Sequence, residues 1–210
     1  MDNVLIIDKP SGMTSHDAVD FIRRKLKIKK VGHCGTLDPM ATGVLVILLD
    51  KATKLSAKLS CSDKEYICTM ELGKATDTQD ATGKIIDRAE TSGISRDTIE
   101  EVILSFKGKQ KQVPPMVSAK HYKGKRLYSL ARKGIEVERE PKDIEIKDIE
   151  IIEIEVPLAR FRVSCSKGTY IRTLCHDIGK KLGCGAHMVN LNRIRSGEFH
   201  IKDAIQLSSL

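Results

Sequence analysis

The segment Gly32-His33-Cys34-Gly35-Thr36-Leu37-Asp38-Pro39-Met40-Ala41-Thr42-Gly43 gathers residues that permit tight turns and close backbone approach around one carboxylate. Proline pushes the residue before it towards extended conformations, so Asp38 sits on a constrained loop from which a carboxylate can serve as nucleophile or base. The same Asp-Pro pair also reads as the start of a short helix, with Asp as cap and Pro just inside, and both readings stay open. A Cys34 nucleophile served by His33 is disfavoured, because adjacent residues seldom present nucleophile and base to each other. In Lys167-Gly168-Thr169-Tyr170-Ile171-Arg172, a Gly-containing turn precedes a helix with Tyr170 and Arg172 in its first turn. The amides of that helix start can receive a phosphate, and the arginine can pair with an acid elsewhere. Thr76-Asp77-Thr78-Gln79-Asp80 resembles the acidic half of a calcium loop but lacks the Glu expected at its twelfth position.

Charge points to a polyanionic partner. Among the 210 residues, 36 Lys and Arg against 28 Asp and Glu give a formal charge of +8 and an isoelectric point near 9.2. The basic residues cluster: Lys107, Lys109, Lys111, Lys120, Lys123, Lys125, Arg126, Arg132 and Lys133 fall in one stretch without an acid, interleaved with Tyr122 and Tyr128. Residues 143 to 155 hold six acids and one lysine. Lysines suit phosphates and tyrosines suit unpaired bases, so the basic stretch reads as a nucleic-acid surface. A solvated, solubilising face is the alternative.

With 40% hydrophobic and 30% charged residues the chain can bury a core. No run approaches the roughly 20 apolar residues of a membrane span, so a soluble, cytoplasmic protein is expected, with a monomer as the default. The six cysteines show neither C-x-x-C nor zinc-type spacing and read as reduced thiols in the core.

Apolar periodicity supplies the elements that must hold these groups. Strands are expected at Val4–Ile7, Val44–Leu49, Tyr66–Leu72 and Arg160–Ser164, with a long half-exposed strand or hairpin over Ile144–Ile154. Helices are expected after a Ser15 cap, after Ser95, around Leu127 to Ala131, and from Tyr170 to Leu182 before Gly183. The segment from His33 to Gly43 reads as loop. The class is α/β, an α+β mixed sheet, and with no linker or repeat a single domain over 1–210 is the simplest organisation.

Taken in order, the motifs resemble the TruB-type tRNA pseudouridine synthases. The likeness runs through Asp8-Lys9-Pro10-Ser11-Gly12-Met13-Thr14-Ser15, Gly32 to Leu45, Lys64-Glu65-Tyr66 and Gly73 to Gly83. It continues in Val113-Pro114-Pro115 with Ser118-Ala119, in Gly124 with Leu127-Tyr128 and Ala131-Arg132, in Cys165 to Leu174, and in Leu182 to Ala186. The resemblance implies a pseudouridine synthase fold with a central cleft. It implies isomerisation of uridine to pseudouridine at position 55 in the T loop of tRNA, with no cofactor and no metal. Asp38 would be the nucleophile, Tyr66 the ring stacked on the target uracil, and Arg172 the partner of the nucleophile. His33, Tyr170 and Leu191 would line the site, Asp80 would meet the flipped nucleotide, and Lys9 and Pro10 belong to the substrate-binding motif. Bacterial relatives often continue into a small C-terminal RNA-binding (PUA-type) domain, so a short form is expected. Val117 stands where tyrosine is usual, and Asn192 interrupts a Leu-Arg-Arg run at Leu191, leaving Arg193. The alternative function is a non-catalytic tRNA-binding or tRNA-folding protein using the same basic cleft.

Overall fold

A computed structural model describes residues 3–118, 120–122, 124–131 and 133–210, without the side chains of His121, Lys125 and Arg126. The chain runs through β1 (Val4–Lys9), α1 (Ser15–Leu26), β2 (Val31–Cys34), β3 (Thr42–Leu49), α2 (Ser56–Ser60), β4 (Lys64–Leu72), β5 (Lys74–Thr76) and β6 (Ile85–Arg88). Next come α3 (Arg96–Leu104), β7 (Gly108–Gln112), β8 (His121–Tyr122), β9 (Lys125–Arg126), α4 (Leu127–Ala131), β10 (Lys142–Glu155) and β11 (Leu158–Cys165). It ends in α5 (Ile171–Leu182), β12 (Ala186–Ser196), β13 (Phe199–His200) and β14 (Ile205–Gln206). This is the mixed α+β architecture expected from the pattern of apolar runs.

Two compact units emerge, one from residues 1–67 with 190–210 and one from residues 68–189. Both crossings fall inside strands, β4 and β12, so no Gly- or Pro-rich linker marks them in the sequence.

In the first unit the strand order is β14-β1-β3-β12-β4, with β2 also on β3. β1 and β2 run antiparallel to β3, while β12 runs parallel to it with Asn192 opposite Thr42 and Arg193 opposite Gly43. Every residue from Gly43 to Leu48 is buried, the mark of a strand covered on both faces and the reason its sequence is continuously apolar. Helix α1 buries Ala18, Val19 and Ile22. Its cap is Thr14, one residue ahead of the Ser15 expected from the sequence, because Thr14 and Asp17 close a reciprocal capping box. Ser15 is thereby released for the loop described below.

In the second unit β4-β11-β10-β7 form the main sheet. β10 and β11 make a long hairpin that buries Ile144, Ile146, Ile149, Phe161 and Val163. Helix α3 carries the expected Ser95 cap and buries Ile99 and Ile103. Helix α5 starts at Ile171, so Tyr170 is its cap and Arg172 lies in its first turn, and it ends at Gly183 with φ 78°.

Candidate active site

The Asp38 segment is a turn and not a helix start: the Ala41 N–H donates to Asp38 O at 3.1 Å across Pro39 and Met40. Proline at the second turn position supplies the required φ, so the Asp-Pro pair serves a β-turn. Leu37 and Ala41 on either side are buried, whereas Asp38 keeps partial access to solvent. The apolar flanks anchor the turn.

The loop between β1 and α1 cradles this turn. Ser15 Oγ donates to Leu37 O at 3.1 Å and accepts from Leu37 N at 2.9 Å. Gly12 N–H donates to Pro39 O at 2.8 Å, and Ser11 Oγ to Met40 O at 3.1 Å. Lys9, fully buried at the end of β1, directs its ammonium to Pro10 O (2.7 Å), Met13 O (2.6 Å) and Pro39 O (3.3 Å). Burial pushes its pKa down to about 8, opposed by the nearby Asp38 carboxylate and assisted by Arg193. Lys9, expected in substrate binding, thus supports the Asp38 turn through Pro39 O, while Pro10, expected with it, is exposed and accepts from the same ammonium.

Arg193 closes the loop from the other side. It is buried, with Nε on Val44 O at 2.7 Å and Nη2 on Gly35 O at 2.9 Å, so one guanidinium ties the two ends of the Asp38 segment. Gly43 beside it has φ 101°, and a Cβ there would meet Arg193 O at 2.3 Å, which excludes any other residue. The run of polar residues around Arg193 hid β12 from an apolar-alternation reading, and with it this arginine's role. Leu191, buried on the same strand, sits just before the residues paired with Thr42 and Gly43. His33 lies on β2 opposite Ile47, a strand where loop was expected. Cys34 next to it is buried, with a thiol whose pKa burial raises, which disfavours it as a nucleophile. Tyr66 is buried to 8% exposure on β4, whose first residue Lys64 donates to Ser60 O and Ser62 O.

Arg172, Asp80 and Tyr170 belong to the second unit, where Arg172 and Asp80 pair. Arg172 is buried and donates from Nη1 to Thr78 O (3.1 Å) and from Nη2 to Val117 O (2.8 Å), and Nη1 lies 3.4 Å from Asp80 Oδ2. Asp80 Oδ1 accepts from Thr78 Oγ1 (2.8 Å), Thr82 N (3.0 Å) and Thr82 Oγ1 (2.5 Å). The segment that looked like half a calcium loop is therefore organised around a guanidinium. Among the described residues, no group of three or more His, Cys, Asp or Glu is placed to hold a metal ion. Gln112 fixes the backbone of Tyr170 from both sides, accepting from its N–H at 2.8 Å and donating to its carbonyl at 3.0 Å. Sequence reading passed over Gln112 because nothing local marks it.

The basic stretch meets acids over part of its length. Lys109 and Lys111 on β7 stand opposite Glu145 and Asp143 of β10, and Lys107 pairs with Asp148 at 2.7 Å. The acidic and basic segments, apart in sequence, face each other in the sheet, so Lys107 is ion-paired and Lys109 and Lys111 each have an acid as cross-strand neighbour. Lys123 and Arg132 lie outside the described residues, as do the side chains of Lys125 and Arg126. Tyr128 lines a groove of about 490 Å³ with Met116, Val117 and Ile135.

Comparison with known proteins agrees with this arrangement. Residues 23–171 match the family model described as TruB family pseudouridylate synthase (N terminal domain), and residues 172–210 match that of the tRNA pseudouridylate synthase B C-terminal domain. The tRNA pseudouridine synthase B of Opitutus terrae is 47% identical over 210 residues, covering 100% of this chain and 87% of the relative. That of Geotalea uraniireducens is 51% identical over 207 residues, covering 99% and 67%. Among solved structures, a chain of a Cbf5-Nop10-Gar1 complex superposes with a TM-score of 0.78 at 36% identity, covering 99% of this chain and 53% of that one. A chain from an H/ACA RNP bound to a substrate RNA containing 2'-deoxyuridine gives 0.74 at 34% identity, covering 99% and 51%. The chain thus spans about half the length of those solved chains.

Proposed function

The chain belongs to the TruB family of pseudouridylate synthases, and from that premise we propose that it isomerises uridine to pseudouridine at position 55 in the T loop of tRNA, with Asp38 as nucleophile. The reaction breaks the bond from ribose C1' to uracil N1, turns the base, joins C5 to C1' and removes the C5 proton. Substrate and product have the same atoms and oxidation state, so the chemistry asks for a nucleophile, a surface that holds the detached base, and a proton acceptor. Asp38 suits the first task, since a carboxylate can attack sugar or base or take a ribose proton. Tyr66 suits the second and third, its ring against the uracil and its hydroxyl assisting at C5. His33 and Leu191 would line the site beside them. By the family resemblance Asp80 would meet the flipped nucleotide, Arg172 would partner the nucleophile, and Tyr170 would line the site. A uridine in a folded T loop has to be extruded, which costs a few kcal/mol, offset by stacking and polar contacts.

The observation that carries the reading is the clamped Asp38 turn. Ser15, Gly12, Lys9 and Arg193 spend their hydrogen bonds on the backbone around one partly exposed carboxylate, an arrangement suited to aiming a reactive group. The test is Asp38→Asn on a T-stem-loop transcript without added cofactor, with pseudouridine detected by carbodiimide mapping or mass spectrometry. Abolished product with retained RNA binding is expected. Undiminished turnover would refute the nucleophile assignment, and binding without any turnover by the unsubstituted chain would favour the non-catalytic alternative.

A further inference from the structure

The second basic run of the chain, Arg23-Arg24-Lys25-Leu26-Lys27-Ile28-Lys29-Lys30, differs from the first in how its charges are met. Arg23 pairs with Asp20, and Arg24 Nε donates to the Asp20 carbonyl at 3.3 Å. Arg24, Lys25, Lys27, Lys29 and Lys30 are all exposed, and among the described residues none of them has a carboxylate within salt-bridge distance. The helix dipole accounts for cations in the last turn of α1, at Arg23, Arg24 and Lys25. It does not account for Lys29 and Lys30, which lie beyond the Lys27 C-cap. Lys27 moreover adopts φ 55°, a left-handed conformation in which glycine or asparagine is the cheaper C-cap. A lysine thus stands where the backbone alone favours another residue.

Position gives the run a use. Lys30 leads directly into β2, and at roughly 3.3 Å per strand residue it stands about 10 Å from His33. We propose that Arg24, Lys25, Lys27, Lys29 and Lys30 form a docking surface for the phosphate backbone of tRNA next to the target loop, whereas Lys107, Lys109 and Lys111 contribute little to binding. The complement is electrostatic: five unmatched cations in seven residues on one side, and a polyphosphate on the other. Lys107 is paired with Asp148, and Lys109 and Lys111 each face an acid, Glu145 and Asp143, across the β7–β10 ladder.

This inference rests on the chain acting on tRNA, and its test separates the two. A five-site glutamine variant (R24Q, K25Q, K27Q, K29Q, K30Q), a milder K29Q/K30Q variant outside the helix, and a K107Q/K109Q/K111Q variant are compared with the unsubstituted chain. Binding to a tRNA transcript is measured across a potassium chloride series, and turnover is measured under steady state, with circular dichroism checking the fold. For the five-site variant, a shallower dependence of log Kd on log salt is expected, by about 0.9 for each phosphate that is no longer neutralised. KM should rise at least tenfold with kcat within about twofold; the K29Q/K30Q variant should follow in the same direction, and the β7 variant should keep both slope and KM. Unchanged slope and KM in the five-site variant, or a larger loss in the β7 variant, would overturn the surface while leaving the enzyme reading intact. Absence of pseudouridine with the unsubstituted chain would instead overturn that reading.

Discussion

Ser15 and Leu37 grip each other through both hydrogen-bonding groups of one backbone unit: the Ser15 hydroxyl donates to Leu37 O at 3.1 Å and accepts from Leu37 N at 2.9 Å. Both residues are buried, and the clamp fixes the residue immediately before Asp38. Ser15→Ala leaves a buried N–H and carbonyl unmatched, at about 1–3 kcal/mol for such a group. Because small misplacements of a reacting group can cost about 100-fold in rate, kcat should fall about 10- to 100-fold while KM for tRNA holds. Urea unfolding and steady-state kinetics on one preparation check both halves; an unchanged kcat would show that the turn keeps its aim without the clamp.

Lys9 should make stability and activity respond to alkali in opposite directions. Its pKa is lowered from 10.5 to about 8, chiefly by burial, with the Arg193 charge adding to the shift and Asp38, Asp17 and Asp8 opposing it. The unfolded chain therefore binds this proton more tightly, so the Lys9 contribution to stability is at its least favourable below pH 8 and improves as pH rises from about 8 to 10.5. Over the same range the ammonium becomes an amine with two N–H groups for three carbonyls, and the support under Pro39 weakens. Turnover should decline above about pH 8 before any loss of fold. A pH series of kcat alongside thermal melts decides it, and a flat kcat from about pH 7.5 to 9.5 would contradict the proposed support.

Arg172 and Asp80 form a buried pair, both nearly inaccessible. Removing one charge from such a pair strands the other, at a cost of about 3–5 kcal/mol. Arg172→Met should therefore lower the denaturation midpoint sharply, and adding Asp80→Asn should recover part of the loss, since the remaining amide no longer buries a charge. Denaturant titrations of the two single variants and the double variant form the cycle. Strict additivity would mean that the pair does not couple.

These relationships were legible in the sequence to different depths. The fold class and the strands at Val44–Leu49 and Tyr66–Leu72 followed from apolar patterning, because burial on one or both faces writes itself into residue type. The Asp38 loop stood out through its glycines and proline. Long-range pairing did not: that Lys109 faces Glu145 is a matter of strand register, which neither segment encodes alone. β12 escaped because its buried positions include His187, Arg193 and Ser196, polar side chains that break the alternation and are tolerated only where tertiary partners satisfy them. The role of Ser15 was masked by a local signal, since a serine at a helix start reads as a cap until Thr14 is seen to fill that place.

Arg193 supplies the most discriminating prediction, because it acts on the loop mechanically and on Lys9 electrostatically. Its guanidinium spans Gly35 O and Val44 O, so Arg193→Met leaves two carbonyls without their donor, again about 1–3 kcal/mol each where buried, and loosens both ends of the Asp38 segment. A purely structural arginine would affect stability and kcat and nothing more. Here the lost charge also removes one of the causes that hold the Lys9 pKa down, leaving the opposing carboxylates of Asp38, Asp17 and Asp8. The alkaline decline in kcat should therefore move to higher pH in Arg193→Met even as the maximum rate falls, while Arg193→Lys, which retains a charge, should keep the decline near its original place. Opposite movements of rate and pH limb in the Met variant, measured under saturating tRNA, distinguish this coupling from simple damage. A limb that stays put in both variants would sever Arg193 from Lys9.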